Sequence, residues 1–199
     1  LIARINENYS GSGGGKPPRI NIGEAFLNQS QFSYINQDRD SIRRGFNFNQ
    51  FSVAVDEAQL NGFTIIGDTT EFHLNTLIAN DIATGFPVNE MSTFFRISQG
   101  GMEFLGLNLR AGESIVQDTI VFQYSSQRDL NDFVDKVVIQ ANLANSILNP
   151  RDLALFAPEA ARLTKPVHVS CVFHGRINKF KVTDMDVLLG NTRLSGTLD

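Results

Sequence analysis

Cysteine, tryptophan and charge are all scarce in this chain. Among 199 residues there is one Cys, no Trp, and only 19% Asp, Glu, Lys and Arg together. A single cysteine excludes an internal disulfide and any paired-cysteine metal or redox motif. Cys171 sits in the apolar run VHVSCVFHG, where a buried, inert thiol is expected. With 17 basic against 21 acidic residues the net charge is -4, which excludes a strongly basic nucleic-acid surface. No apolar run approaches the roughly 18–20 residues of a membrane-spanning helix. Missing too are a helical His-Glu-x-x-His, a nucleophile elbow and any other catalytic signature.

Most of the polarity comes instead from Asn, Gln, Ser and Thr, a composition common on extracytoplasmic β proteins. Hydrophobic residues make up 42% of the chain, with 16 Phe, enough for one sizeable core or for one piece of a larger array. The first residue is Leu1, and the final strand pattern stops without a closing turn. The expectation is therefore a fragment of a longer protein, divided into 1–18 (a strand end and flexible loop) and 19–199 (one β unit).

YSGSGGGKPP, Tyr9 to Pro18, brushes against a phosphate-binding loop. That motif needs Gly-Lys-Ser/Thr opening a helix. Here Lys16 is followed by Pro17-Pro18, which favours extended chain, so the stretch reads as a flexible loop.

From Arg19 onward the chain alternates apolar and polar residues, the period of strands with one dry and one wet face. RINIGEAF places Ile20, Ile22 and Phe26 together, and QFSYI does the same for Phe32 and Tyr34. GFNFNQFSVAV carries Phe46 and Phe48, changes phase near Gln50 as at a bulge, and continues with Phe51, Val53 and Val55. TEFHLNTLI sets Phe72 and Leu74 with Thr76 and Ile78. STFFRISQGGMEFLGLNLRAG reads as a hairpin turning at Gly100-Gly101, with Leu105, Leu107 and Leu109 facing one way. Ile120, Phe122 and Tyr124 follow, then Val137, Ile139, Ala141 and Leu143. VHVSCVF aligns Val167, Val169, Cys171 and Phe173; TRLSGTL ends the series with Leu194 and Leu198. Roughly 11 to 13 meandering antiparallel strands are expected.

Two short stretches break the alternation. SQRDLNDFV has Ser126 three residues before Asp129, a capping-box spacing, and NPRDLALFAPEAARL offers Asp152 as N-cap and Pro158 as stop. Both are too short to stand alone and read as small plugs between strands.

Candidate chemical sites do not assemble. His168 and His174 lie six apart on one strand, about 20 Å, too far to share a metal, and Cys171 points to the other face. His73 falls on the polar side. Asp184 and Asp186 read as a turn or a solvated strand edge, and Arg43-Arg44 with Asp38 and Asp40 as a local charge cluster. No catalytic residue, metal site or cofactor is expected.

The segment from Leu143 to Leu198 has an Asp-Leu-x-x-Phe-x-Pro element in Asp152, Leu153, Phe156 and Pro158, then a strand ending at Gly175. A run with Met185, Val187, Gly190, Thr192, Leu194 and Gly196 follows. In this pattern it resembles the AsmA-like superfamily and, within it, the TamB-type proteins; residues 20–140 resemble them more loosely. The resemblance implies a mostly β fold: a long, curved, open antiparallel sheet (a β-taco) with one or two short helices. It also implies a periplasmic, Gram-negative setting, with the full-length protein anchored in the inner membrane. The implied role is conduction of phospholipid between the inner and outer membranes. Implied partners are phospholipid, the membranes at both ends, and an outer-membrane barrel protein of the Omp85 type.

The candidate groove lining is the apolar strand face named above, running from Phe46 and Phe48 to Leu194. Such a face must be covered by a second sheet, by curling of the sheet, or by acyl chains, and alternation alone does not choose among these. A scaffold for assembling outer-membrane barrels and an adhesin-like β-sandwich or β-solenoid remain the alternatives.

Overall fold

The computed structural model describes residues 19–35, 50–156 and 158–199. Phe46, Phe48, the Arg43-Arg44 cluster and the expected loop at 1–18 lie outside the described residues.

Ten strands form one antiparallel sheet in sequence order. They are β1 (Arg19–Ile35), β2 (Gln50–Ile66), β3 (Thr69–Asp81), β4 (Pro87–Ile97), β5 (Gly101–Ala111), β6 (Ser114–Gln123), β7 (Val138–Leu148), β8 (Val167–Arg176), β9 (Lys179–Leu189) and β10 (Thr192–Leu198). The sheet is open, and among the described residues no second sheet packs on either face. The described residues therefore do not form the closed interior that the sandwich alternative required.

The described residues hold ten strands where 11 to 13 were expected of the whole chain, and within them two pairs of patterns are single strands. RINIGEAF and QFSYI are both β1; INKFKV and MDVLLG are both β9. The apparent breaks are changes of phase at single residues in the left-handed region, Gln29 (φ 49°) in β1 and Asp184 (φ 49°) in β9. The same device recurs at Gly62 (φ 64°), Gly106 (φ 60°), Asp118 (φ 99°) and Asn145 (φ 50°), each beside a register shift or an interruption of the pairing. Gly, Asn and Asp tolerate this backbone best, and each such bulge bends its strand and swaps the faces beyond it.

The phase changes correct two expectations. Phe26 pairs with Gln59, whose neighbour Ala58 is buried with Val55 and Ala79, so Phe26 lies on the polar face and is 61% exposed. On β3, Leu77 pairs with Ala58 and Thr76 with Gln59, so Thr76 and Ile78 leave the face of Phe72 and Leu74.

The β6–β7 connection folds into a 3-10 turn (Gln127–Asp132) and a helical turn α1 (Phe133–Lys136). The Asp129 carboxylate accepts from the Ser125 and Ser126 N–H groups at 2.9 and 3.0 Å, as the capping-box spacing predicted. The β7–β8 connection contains α2 (Pro150–Leu153) and a 3-10 turn (Pro158–Arg162). Its N-cap is Asn149, whose side chain accepts from the Arg151 N–H, and not Asp152. Asp152 is instead buried, and Pro158 opens a turn where a stop was expected. The two plugs therefore sit at opposite ends of β7.

Candidate functional site

Register tracks one face across the sheet. Ile22 pairs with Phe63, Phe72 with Phe95, Phe95 with Phe104, Phe104 with Ile120, Ile120 with Ala141, Ala141 with Phe173, and Phe173 with Val182. Residues directly opposite one another in antiparallel strands share a face, so this is one continuous apolar row. Further paired stretches lie beside it: Leu27–Ala58–Leu77 on β1–β3, Met91–Leu109–Val116 on β4–β6, and Ser146–Val169–Val187–Leu194 on β7–β10.

The central part of the first row is aromatic. Ring centroids are 5.9 Å apart for Phe63–Phe72, 5.0 Å for Phe72–Phe95, 5.1 Å for Phe95–Phe104 and 6.3 Å for Phe104–Phe122. Phe133 of α1 ends the series, edge-on to Phe122 at 5.4 Å. Offset and edge-to-face pairs at these separations are favourable beyond their burial. The rings are only half-buried: among the described residues no second sheet lies over them, and Phe133 meets the row at its Phe122 end. Towards the sheet edges exposure rises, to 56% at Phe32 and 59% at Leu194.

Most of the residues read from the sequence as lining fall on this face: Val53, Val55, Phe72, Leu74, Leu107, Leu109, Ile120, Phe122, Ile139, Val167, Val169, Phe173 and Leu194. Two do not. Leu105 pairs with Phe94, the neighbour of row member Phe95, so it lies on the polar face. The bulge at Gly106 restores Leu107 and Leu109 to the apolar side, where Leu109 meets Met91. Val137 precedes β7, is fully buried, and donates its N–H to the Phe133 carbonyl at 3.2 Å, so it packs inside the plug and cannot line an open surface.

Three rings of the row were absent from the sequence reading: Phe63, Phe95 and Phe104. Phe94-Phe95 is a doublet that alternation cannot resolve, and the false alignment of Leu105 with Leu107 hid Phe104. The glycine inside that strand pattern was the available signal.

The opposite face is polar, and its ion pairs are local. Arg96 bridges Glu71 at 3.0 Å and Glu103 at 3.5 Å, and lies 5.3 Å from the Phe94 ring, which also meets His73 at 4.9 Å. His73, His168 and His174 are exposed here, as expected. A shallow hollow near the Asn145 bulge is lined by His168, Ser170, Asp186 and Arg193. Arg193 donates to both Asp186 oxygens at 2.7 Å, and Ser170 Oγ accepts from the Asn145 N–H at 3.0 Å. The Arg193 hydrogen bonds hold the Asp186 carboxyl below its ordinary pKa. Burial pushes the Cys171 thiol up, away from the reactive thiolate. Among the described residues no group of three His, Cys, Asp or Glu side chains is placed to hold a metal ion, and no helix is long and apolar enough to cross a membrane.

No protein-family model, curated protein or solved structure matches the chain.

Proposed function

We propose that this sheet is part of a lipid-conducting β-groove of the TamB type, along which phospholipid acyl chains pass between the inner and outer membranes of a Gram-negative envelope. One observation carries the reading: an apolar face continuous over ten strands, with no second sheet over it among the described residues and only the short α1 connection resting on it at Phe122. Exposed apolar surface on this scale calls for a non-protein or partner covering. Acyl chains are suited to it, gaining about 0.8 kcal/mol per buried methylene without needing any directional partner. On the opposite face Arg96 is paired with Glu71 and Glu103, and Arg193 with Asp186, so these ionised groups do not project among the acyl chains. The row runs across the strands, so it extends in the direction in which further strands would lengthen it. Within this reading the full-length protein is anchored in the inner membrane, lies in the periplasm, and meets an outer-membrane barrel protein of the Omp85 type.

The test is the lipid content of the protein purified without detergent. Mass spectrometry of an organic extract is expected to find phospholipid in molar proportion to the chain. Protein that is folded, monomeric and lipid-free would overturn the reading.

A further inference from the structure

We infer that the aromatic row Phe63–Phe72–Phe95–Phe104–Phe122 is the seat of one long acyl chain lying across the strands, closed at one end by Phe133. The inference rests on the groove reading and adds to it a place, a length and a stop.

Other rings on this face form short groups, Phe32, Tyr34 and Phe51 on β1–β2 and the Phe173–Phe180 stack on β8–β9; among the described residues only here do half-buried rings follow one another across five strands, from β2 to β6. Four inter-strand steps of ~4.8 Å make the row ~19 Å long. An extended chain advances ~3.5 Å per three bonds, so a tail of about sixteen carbons spans ~18 Å. The surroundings match an uncharged occupant. From β2 to β5 the flanking rows are Ile65–Thr70–Ile97–Met102 on one side and Leu60–Leu74–Thr93 on the other, with no ionised side chain. A charged amphipathic helix would find no counter-charge there, whereas a hydrocarbon tail needs none.

At β7 the row loses its rings. The next positions are Ile139 and Ala141, with Gly175 beyond on β8, and Phe133 descends from α1 onto Phe122 where a chain would otherwise continue. Rings resume only at the Phe173–Phe180 stack. A chain seated on β2–β6 therefore ends against Phe133.

The absence of tryptophan makes the test direct, because one introduced indole is the whole signal. Single variants Phe95→Trp, Phe104→Trp, Leu109→Trp and Phe94→Trp are made in the full chain, with folding checked by circular dichroism. Each is incubated with vesicles of phosphatidylcholine brominated on one acyl chain, and bromine quenching is read after the vesicles are removed. Phe95→Trp and Phe104→Trp are expected to lose most of their fluorescence, Leu109→Trp, on the aliphatic row, clearly less, and Phe94→Trp, on the polar face, none. Unlabelled dipalmitoyl phosphatidylcholine should relieve the quenching more than the dioctanoyl lipid. Equal quenching at Leu109→Trp, or no dependence on tail length, overturns the seat while leaving the groove reading intact. No quenching at any of the three apolar-face positions overturns both.

Discussion

Asp152 and Ser114, 38 residues apart, share a hydrogen bond of 2.6 Å that ties the α2 plug to the turn between β5 and β6. The same carboxylate oxygen accepts the Glu113 N–H at 2.8 Å, and the Ser114 hydroxyl in turn accepts the Asn149 N–H at 2.8 Å. All three of Ser114, Asn149 and Asp152 are buried. Gly112 completes the staple: its φ is +56°, and a Cβ there would run into the Asp152 carboxylate.

Asp152→Ala leaves buried donors without a partner, a loss of about 1–3 kcal/mol. Gly112→Ala adds left-handed strain of about 1–2 kcal/mol to the clash. Removing the carboxylate also removes the clash, so the double variant is expected to lose less than the sum of the two single changes. Urea unfolding midpoints of the four proteins check this, and strict additivity would refute the contact.

The Asp186–Arg193 pair joins β9 to β10, the last pairing of the sheet. Because the folded carboxyl titrates below its ordinary value, its contribution is present above the ordinary carboxylate range, ~4, and is lost as pH falls through the lower folded value. Backbone hydrogen exchange in β10, relative to β4, is expected to rise across that acid window. Arg193→Gln should remove the pH dependence. The same acid response in Arg193→Gln would show that the pair is not its source.

Tyr124 gives the opposite sign. Burial pushes its phenol up to about 12, and its hydroxyl donates to the Ser98 carbonyl at 3.1 Å. The neutral form is favoured by folding, so the contribution is complete below the unfolded value, ~10, and disappears as pH rises through the folded one. Thermal melts between those limits should show the protein losing stability faster than Tyr124→Phe does. Parallel losses in the two proteins would contradict this role.

The sheet and its sidedness were legible in the alternation because a strand exposes every second residue to the same environment. Phe72, Leu74, Ile120, Phe122, Val167, Val169 and Phe173 needed nothing more. The failures at Phe26, Thr76, Ile78 and Leu105 share a cause: a bulge or left-handed residue costs one position of phase, and period-2 reasoning carries the error forward to the next break. Gly62, Gly106, Asn145 and Asp184 are the residue types that mark such breaks, yet each also occurs in ordinary turns and on wet faces. The α2 cap was misplaced for a different reason. Asn149 and Asp152 are both good N-cap residues, and the deciding fact is the distant Ser114 hydroxyl, which no local pattern contains.

The groove itself is best tested with adjacent residues on opposite faces. Val169 is half-buried on the apolar row and pairs with Ser146 and Val187, while His168 points to the polar side opposite Ile147 and Leu188. Leu107 is a poorer choice, because at 5% exposure a buried aspartate there would threaten the fold. Val169→Asp places a charge where hydrocarbon would lie, and losing contact with two or more methylenes at about 0.8 kcal/mol each lowers lipid occupancy by roughly tenfold. His168→Asp makes a comparable change in the sequence one position away and leaves the apolar row untouched. Lipid extracted per mole of protein should therefore fall in Val169→Asp and stay at the wild-type level in His168→Asp. Equal retention in both variants would mean that the face bearing Val169 does not carry the lipid.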